Sequence, residues 1–380
     1  MSGAVGVRCT CDDARMSTPA PPRSRLPLVL AILYGAAIVY ASLAPFAPWL
    51  APTPGTPFFL FGGWPRYWTR YDAAFNVVAY APFGLFLALL PRGAPAWRRI
   101  ATGVAGGAVL SFAMETLQAY IPPRDSSVFD LVMNSAGTFV GAVIAAWLAR
   151  KGMMRDRLYE LRARTILGDR LGDIGAALLL FWLIAQMNPG IPLFGLTFDP
   201  GSLTGMMATP ARLDGASLLI QAAASAFHVL GIGLFVSLLL RKPAAIGLAV
   251  LSLISTALLL KLATAAWLLK PAAWRTWVKP GVLAGIAAGA LILPVAIGWP
   301  RAVRVALCAV ALLSSLLAPA LVPDLVEARA PLGMFDWHYG QLTNYNGLTR
   351  AVLLAWPVLA AAWLFVLAGR PHWGRPDDSR

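Results

Sequence analysis

The chain has 380 residues, of which 58% are apolar and only 13% charged, and its 31 Lys and Arg against 17 Asp and Glu give a formal net charge of +14. Soluble domains carry roughly 25% charged residues, so the composition excludes an ordinary globular domain and points to a multi-pass membrane protein. The positive charge does not imply a nucleic-acid partner, because no basic stripe with interleaved stacking aromatics accompanies it, and three cysteines exclude a disulfide framework.

Residues 1–25 are polar and Pro-rich and are expected to be a disordered tail, or a mis-assigned extension ahead of a second start at Met16. Cys9 and Cys11 form a lone Cys-x-Cys, too little for a zinc site. Stretches of about 20 mainly apolar residues then predict ten helices, near 26–44, 73–90, 100–120, 128–149, 172–188, 216–240, 244–269, 281–299, 302–322 and 350–369. The fold class is therefore all-α, a polytopic transmembrane bundle. Residues 26–150 read as a four-helix module, 151–171 as a basic cytoplasmic linker, 172–369 as a six-helix region and 370–380 as a cytoplasmic tail. In the linker, the spacing of Leu158, Leu161 and Ile166 suits a short amphipathic helix on the membrane surface.

With both termini in the cytoplasm, about two thirds of the 31 basic residues fall on the inside, including Arg92, Arg98, Arg99 and the run from Arg150 to Arg170. The positive-inside rule favours this orientation. Its weak point is KPAAWRTWVKP at 270–280, which places Lys270, Arg275 and Lys279 outside. Trp49, Trp64, Tyr67, Trp68 and Tyr71 suit an aromatic belt around the first outside loop.

The segment between Glu115 and Gly141 is the candidate for function, because charged and amide side chains sit there inside apolar, helix-length sequence. A charge within hydrocarbon costs roughly 2.5–3.5 kcal/mol on insertion scales, so each needs a partner or a task. Helix two enters from the outside with Asp72 and Asn76. Helix three leaves toward it with Glu115 and Gln118, and helix four starts back with Asp130 and Asn134. Azimuth agrees with depth, since Gly107, Ser111, Glu115 and Gln118 share one helical face, as do Asp130, Asn134, Gly137 and Gly141. Small residues let helices approach closely, so the stripes of helices three and four are expected to pack against each other, with helix two completing a polar pocket. Arg124, on the hairpin Ile121 to Ser127, is placed to pair with Glu115 or Asp130. The bland reading stands beside this one: buried amides and carboxylates also pin helices, and Asp130 near a helix start is favoured as a cap and by the dipole.

Asn76-x5-Pro82-x-Gly84, Glu115-x2-Gln118, Pro123-Arg124 and Asp130-x3-Asn134-x2-Gly137-x3-Gly141 together resemble the VanZ-like family, named for the teicoplanin-resistance accessory protein, over about residues 30–150. The resemblance implies a bacterial cytoplasmic-membrane protein, with a link in some members to lowered binding of lipoglycopeptides. It implies no known reaction. The six later helices depart from the small members of the family.

The leading expectation is a non-enzymatic module that binds an envelope lipid or lipid-linked precursor in an outward-facing pocket. Arg124 would meet an anionic group, Asn76, Gln118 and Asn134 would orient the ligand, and Glu115 and Asp130 would hold Arg124. An enzyme on the same substrate class remains open, with Glu115 as general acid or base, Arg124 stabilising developing charge and Asp130 nearby. Transport by the six-helix half is a third alternative. No phosphate loop or His-Glu-x-x-His motif occurs, and no cofactor or metal is expected. His228 reads as a core histidine bonded to a neighbouring helix and His372 lies in the tail. Lys261 reads as a transport residue, a partner for a carboxylate, or a side chain snorkelling toward the interface. Asp336-Trp337-His338-Tyr339 reads as part of an outside interface loop.

Overall fold

In the computed structural model, residues 24–44, 46–122, 124–150, 162, 164–190, 194, 215–273, 278–321 and 340–370 are described. Residues 1–23 and 371–380 of the expected tails, Leu158, Leu161, residues 336–339 and His372 lie outside them. Among the described residues the chain forms ten α-helices and no strands: α1 (Leu26–Leu43), α2 (Arg70–Ala88), α3 (Ala96–Gln118), α4 (Val128–Arg150), α5 (Arg170–Gln186), α6 (Gly215–Leu239), α7 (Ile246–Leu268), α8 (Pro280–Ile297), α9 (Arg301–Leu321) and α10 (Gly340–Ala368). Eight helical segments are long and apolar enough to cross a membrane, leaving out α5 and α9.

Local chemistry sets several boundaries. Helix α2 begins three residues earlier than predicted because Thr69 and Asp72 form a capping box: Thr69 Oγ1 accepts from the Asp72 amide at 3.1 Å and the Thr69 amide donates to Asp72 Oδ2 at 2.9 Å. Asp169 caps α5 by accepting from the Gly172 amide at 3.0 Å. Helix α10 begins ten residues before its predicted start. Its polar opening turns are helical because the chain folds them against the end of α5, just past which Asn188 Nδ2 donates to Asn346 Oδ1 at 2.8 Å and to Thr349 Oγ1 at 2.7 Å.

The first four helices pack in repeating layers four residues apart. Gly84 on α2, Gly107 on α3 and Thr138 on α4 form one layer, with Ala88, Gly103 and Ala142 below it. The closest approach joins α2 to α4, where a Cβ placed on Gly141 would lie 1.8 Å from the Ala81 carbonyl oxygen and one on Gly137 would lie 2.4 Å from that of Val77. This corrects the expectation that the glycine faces of helices three and four meet: Gly137 and Gly141 face α2, and α3 packs on α4 through Gly107 against Thr138 and Gly103 against Ala142.

The later helices enclose a larger apolar core around α6, with Trp182, Phe235, Trp356 and Trp363 buried. Trp356 and Trp363 of α10 donate their indole N–H groups to the carbonyls of Leu178 and Leu171 on α5, at 2.7 and 2.8 Å. Helix α1 joins the two groups by packing against α5 and α10 as well as α2. A polar clasp secures its start, where Asp173 accepts from Ser24 Oγ and from the Arg25 amide at 2.7 Å each and is paired with Arg162. Arg162, from the 151–171 segment, thus takes part in this clasp.

Candidate functional site

The polar residues singled out in the sequence assemble at one end of the α1–α4 group. Three helices each present an i, i+4 pair: Asn76 and Tyr80 on α2, Ser111 and Glu115 on α3, Asp130 and Asn134 on α4. Because α3 runs opposite to α2 and α4, Asn76, Glu115 and Asp130 form an outer layer and Tyr80, Ser111 and Asn134 an inner one, stacked on the Gly84–Gly107–Thr138 layer. In the outer layer Asn76 Nδ2 donates to Asp130 Oδ1 at 2.5 Å, and in the inner layer Asn134 Nδ2 donates to Ser111 Oγ at 3.0 Å. Tyr80, Ser111, Glu115 and Asn134 are buried, while Asn76 and Asp130 are half-buried.

Glu115 reaches across to the start of α4. Its Oε2 accepts from the Ser127 amide at 2.9 Å, while Ser127 itself caps α4, its Oγ accepting from the Phe129 amide at 3.0 Å. A carboxylate beside a helix N-terminus is favoured by the exposed N–H groups and by the dipole.

Arg124 and Gln118 are placed differently from expectation. Arg124 Nε donates to the Ala44 carbonyl at 3.2 Å and its Nη2 to the Ala41 carbonyl at 3.0 Å, with a further short bond from Nη2 to Ala44. Gln118 Nε2 donates to the Ser42 carbonyl at 2.8 Å. Both side chains therefore terminate α1, satisfying carbonyls that no further turn can bond. A cation at a helix C-terminus is also favoured by the dipole. Among the described residues no ion pair joins Arg124 to Glu115 or Asp130, so the expectation that these carboxylates hold Arg124 is corrected. The pull of α1's terminal carbonyls wins. Burial lowers the pKa of the Arg124 guanidinium and the nearby Glu115 charge works against that shift.

Three polar atoms here are buried without a hydrogen-bond partner: Tyr80 Oη, Asn134 Oδ1 and Ser126 Oγ. The Tyr80 hydroxyl approaches Ser111 and Ser42 without reaching hydrogen-bond geometry with either. Tyr80 is not among the residues expected from the sequence; its place midway between Asn76 and Gly84, four residues from each, is the signal that marks it. The carbonyls of Ala41, Ser42 and Ala44 carry no side-chain signature and only the fold identifies them.

The outer loop borders the cluster. Trp64 packs edge-on against Phe129, next to Asp130, and Trp68 lies tilted against the same ring, with centroids 5.4 and 5.2 Å away. Tyr67 and Phe61 stand out from it, 93% and 81% exposed, as members of an interfacial belt do.

Outside this module, His228 Nε2 accepts from Trp182 Nε1 at 3.0 Å inside the α5–α6 core. Lys261 is fully buried and does not snorkel. Its Nζ donates to the Asn188 carbonyl at 2.7 Å, at the end of α5, so that a cation meets helix-terminal carbonyls in this half too.

An all-helical assembly with eight membrane-length apolar segments and a polar cluster closed by glycine layers defines a polytopic membrane protein carrying a four-helix polar module. Residues 29–149, the span of that module, match the VanZ/LLP1 family. This is the family that the Asn76, Glu115–Gln118 and Asp130–Asn134 motifs resemble. A comparison with curated proteins and another with solved structures returned no match.

Proposed function

We propose that this chain is a VanZ-like integral membrane protein of the bacterial cell envelope whose first four helices bind an envelope lipid or lipid-linked headgroup at the Asn76–Glu115–Asp130 end. Through that binding it alters cell-surface properties, including susceptibility to teicoplanin-type glycopeptides. In this reading the chain lies in the cytoplasmic membrane with both termini inside, so that the site opens outward.

The observation supporting it is the set of buried atoms without partners, Tyr80 Oη, Asn134 Oδ1 and Ser126 Oγ, beside two carboxyl groups. A buried polar atom left without a hydrogen bond costs about 1–3 kcal/mol, and helix packing alone has no use for several in one place. A ligand group supplying hydrogen bonds removes that cost. The hold of the Ser127 amide on Glu115 suits a fixed acceptor better than a base that shuttles protons, which favours binding over turnover.

The test is mass spectrometry of the lipids that co-purify with the full-length protein and with an Asn134→Leu variant, whose side chain is of similar size but apolar. The reading expects a lipid species enriched with the wild type and depleted with the variant. Identical lipid profiles would overturn it.

A further inference from the structure

The chemistry of the same cluster also limits what kind of headgroup fits, an inference that rests on the receptor reading above. The sequence pattern alone puts an anion at Arg124. In the structure Arg124 and Gln118 turn away to the carbonyls that end α1. What remains facing the cluster is rich in acceptors. Glu115 lies in the opposing fields of Asp130 and Arg124, and Asp130 in those of Asp72 and Asp125. Asn134 directs its N–H to Ser111 and leaves Oδ1 buried without a donor, in a residue only 5% exposed. Tyr80, also 5% exposed, leaves its hydroxyl unpartnered one turn below Asn76.

Arg124 is near enough for its charge to act on Glu115 but commits its donors to the α1 carbonyls, so the two carboxyl groups of this desolvated cluster still lack a cation that donates to them. A metal ion held by protein side chains would want more ligands of the same kind, yet among the described residues no group of three His, Cys, Asp or Glu converges. An ammonium group meets the need with one positive charge and N–H donors that can be shared among several oxygens. The half-buried Asn76–Asp130 pair is the more accessible edge of the cluster, the side from which such a group would approach. The rings of Trp64 and Trp68 lie beside that edge, where a headgroup attached to a lipid would rest.

We propose that the polar end of the α1–α4 group is a binding site for a primary ammonium group, held between the carboxylates of Glu115 and Asp130, with Asn134 Oδ1 and Tyr80 Oη completing its hydrogen bonds. The ammonium is carried by a lipid headgroup or by a soluble amine. The site discriminates against anionic headgroups through the same carboxylates.

The experiment uses the full-length protein reconstituted in phosphatidylcholine vesicles containing equal minor fractions of phosphatidylethanolamine and phosphatidylglycerol. The protein is then extracted in mild detergent, and retained lipid is quantified by native mass spectrometry. Phosphatidylethanolamine should be retained over phosphatidylglycerol by about tenfold or more. Glu115→Gln and Asp130→Asn should abolish the preference. Both variants keep an oxygen for the Ser127 amide and for Asn76, and monodisperse elution verifies that they fold. If the source is a soluble amine, ethanolamine or glucosamine should raise the thermal midpoint of the wild type and not of the Glu115→Gln protein, without selective lipid retention. Retention of phosphatidylglycerol in preference, lost in Asn134→Leu, would overturn the ammonium assignment and leave the receptor reading standing. Equal retention of phosphatidylcholine and phosphatidylethanolamine would show that N–H donors are not read, and would overturn it as well. No lipid or amine effect sensitive to Glu115, Asp130 or Asn134 would remove both readings.

Discussion

Replacement of Gly141 by Ala tests the packing on which the polar cluster stands. A Cβ there would lie 1.8 Å from the Ala81 carbonyl oxygen and 2.7 Å from the Leu85 amide nitrogen, both backbone atoms of α2. No side-chain rotation relieves such a clash, so α2 and α4 must separate by roughly 1.5 Å to restore van der Waals contact. Overpacking of this kind typically costs about 1–3 kcal/mol. The opposing gain from exchanging glycine for alanine within a helix is at most about 1 kcal/mol. Because the displaced partner is backbone and the two helices share several layers, the upper part of the range applies and a net loss of about 2 kcal/mol is expected. Gly247, in the first turn of α7, is the control: a Cβ there meets nothing within 4 Å, and its replacement by Ala should be neutral or stabilising. Equilibrium unfolding of the full-length variants in mixed detergent micelles, followed by circular dichroism, measures the difference. A Gly141→Ala protein as stable as the Gly247→Ala protein would refute the α2–α4 contact.

Arg124→Ala should free the Ala41 and Ala44 carbonyls and speed amide hydrogen exchange in the last turn of α1, with incomplete rescue by Lys, which lacks the fork that spans two carbonyls; unchanged exchange there would count against the cap. Asn76→Ala and Asp130→Ala should be non-additive in the same unfolding assay, with a coupling of about 0.5–3 kcal/mol, whereas simple additivity would mean that the two side chains do not bond. Burial acts to raise the Asp169 carboxyl, but its bonds from the Gly172 amide and Arg370 outweigh that and hold its pKa below the usual value. Its contribution is therefore present above the unfolded value of about 3.9 and lost as pH falls through the lower folded value. Protection of the Gly172 amide should drop on acidification below that range in the wild type; an Asp169→Asn protein with the same pH profile would refute the linkage. Reporter fusions after Arg150 and Arg370 should read cytoplasmic and one near Ser126 external, and an external signal at Arg150 would reverse the outward orientation of the site.

The amino-acid sequence by itself determined the membrane class, the helical content and most of the residues that gather at the polar end of α1–α4, Tyr80 excepted. Those properties follow from local rules: apolar length sets each span, and the four-residue spacing of Asn76, Tyr80 and Gly84 or of Asp130, Asn134 and Thr138 fixes one face of one helix. Tertiary structure decided which faces meet and which bonds form. Gly137 and Gly141 could serve either neighbour by spacing alone, and the fit of their bare backbone against Val77 and Ala81 assigned them to α2. Arg124 had carboxylates within reach on paper, yet the terminal carbonyls of α1 took its guanidinium, because acceptors on a backbone leave no mark in a side-chain pattern. The early start of α10 has the same origin, since its polar first turns gain their partner in Asn188 only once α5 lies beside them. Periodicity specifies a face. The partner of that face depends on shape and on hydrogen-bond groups contributed by segments distant in the chain, and these come together only in the folded protein.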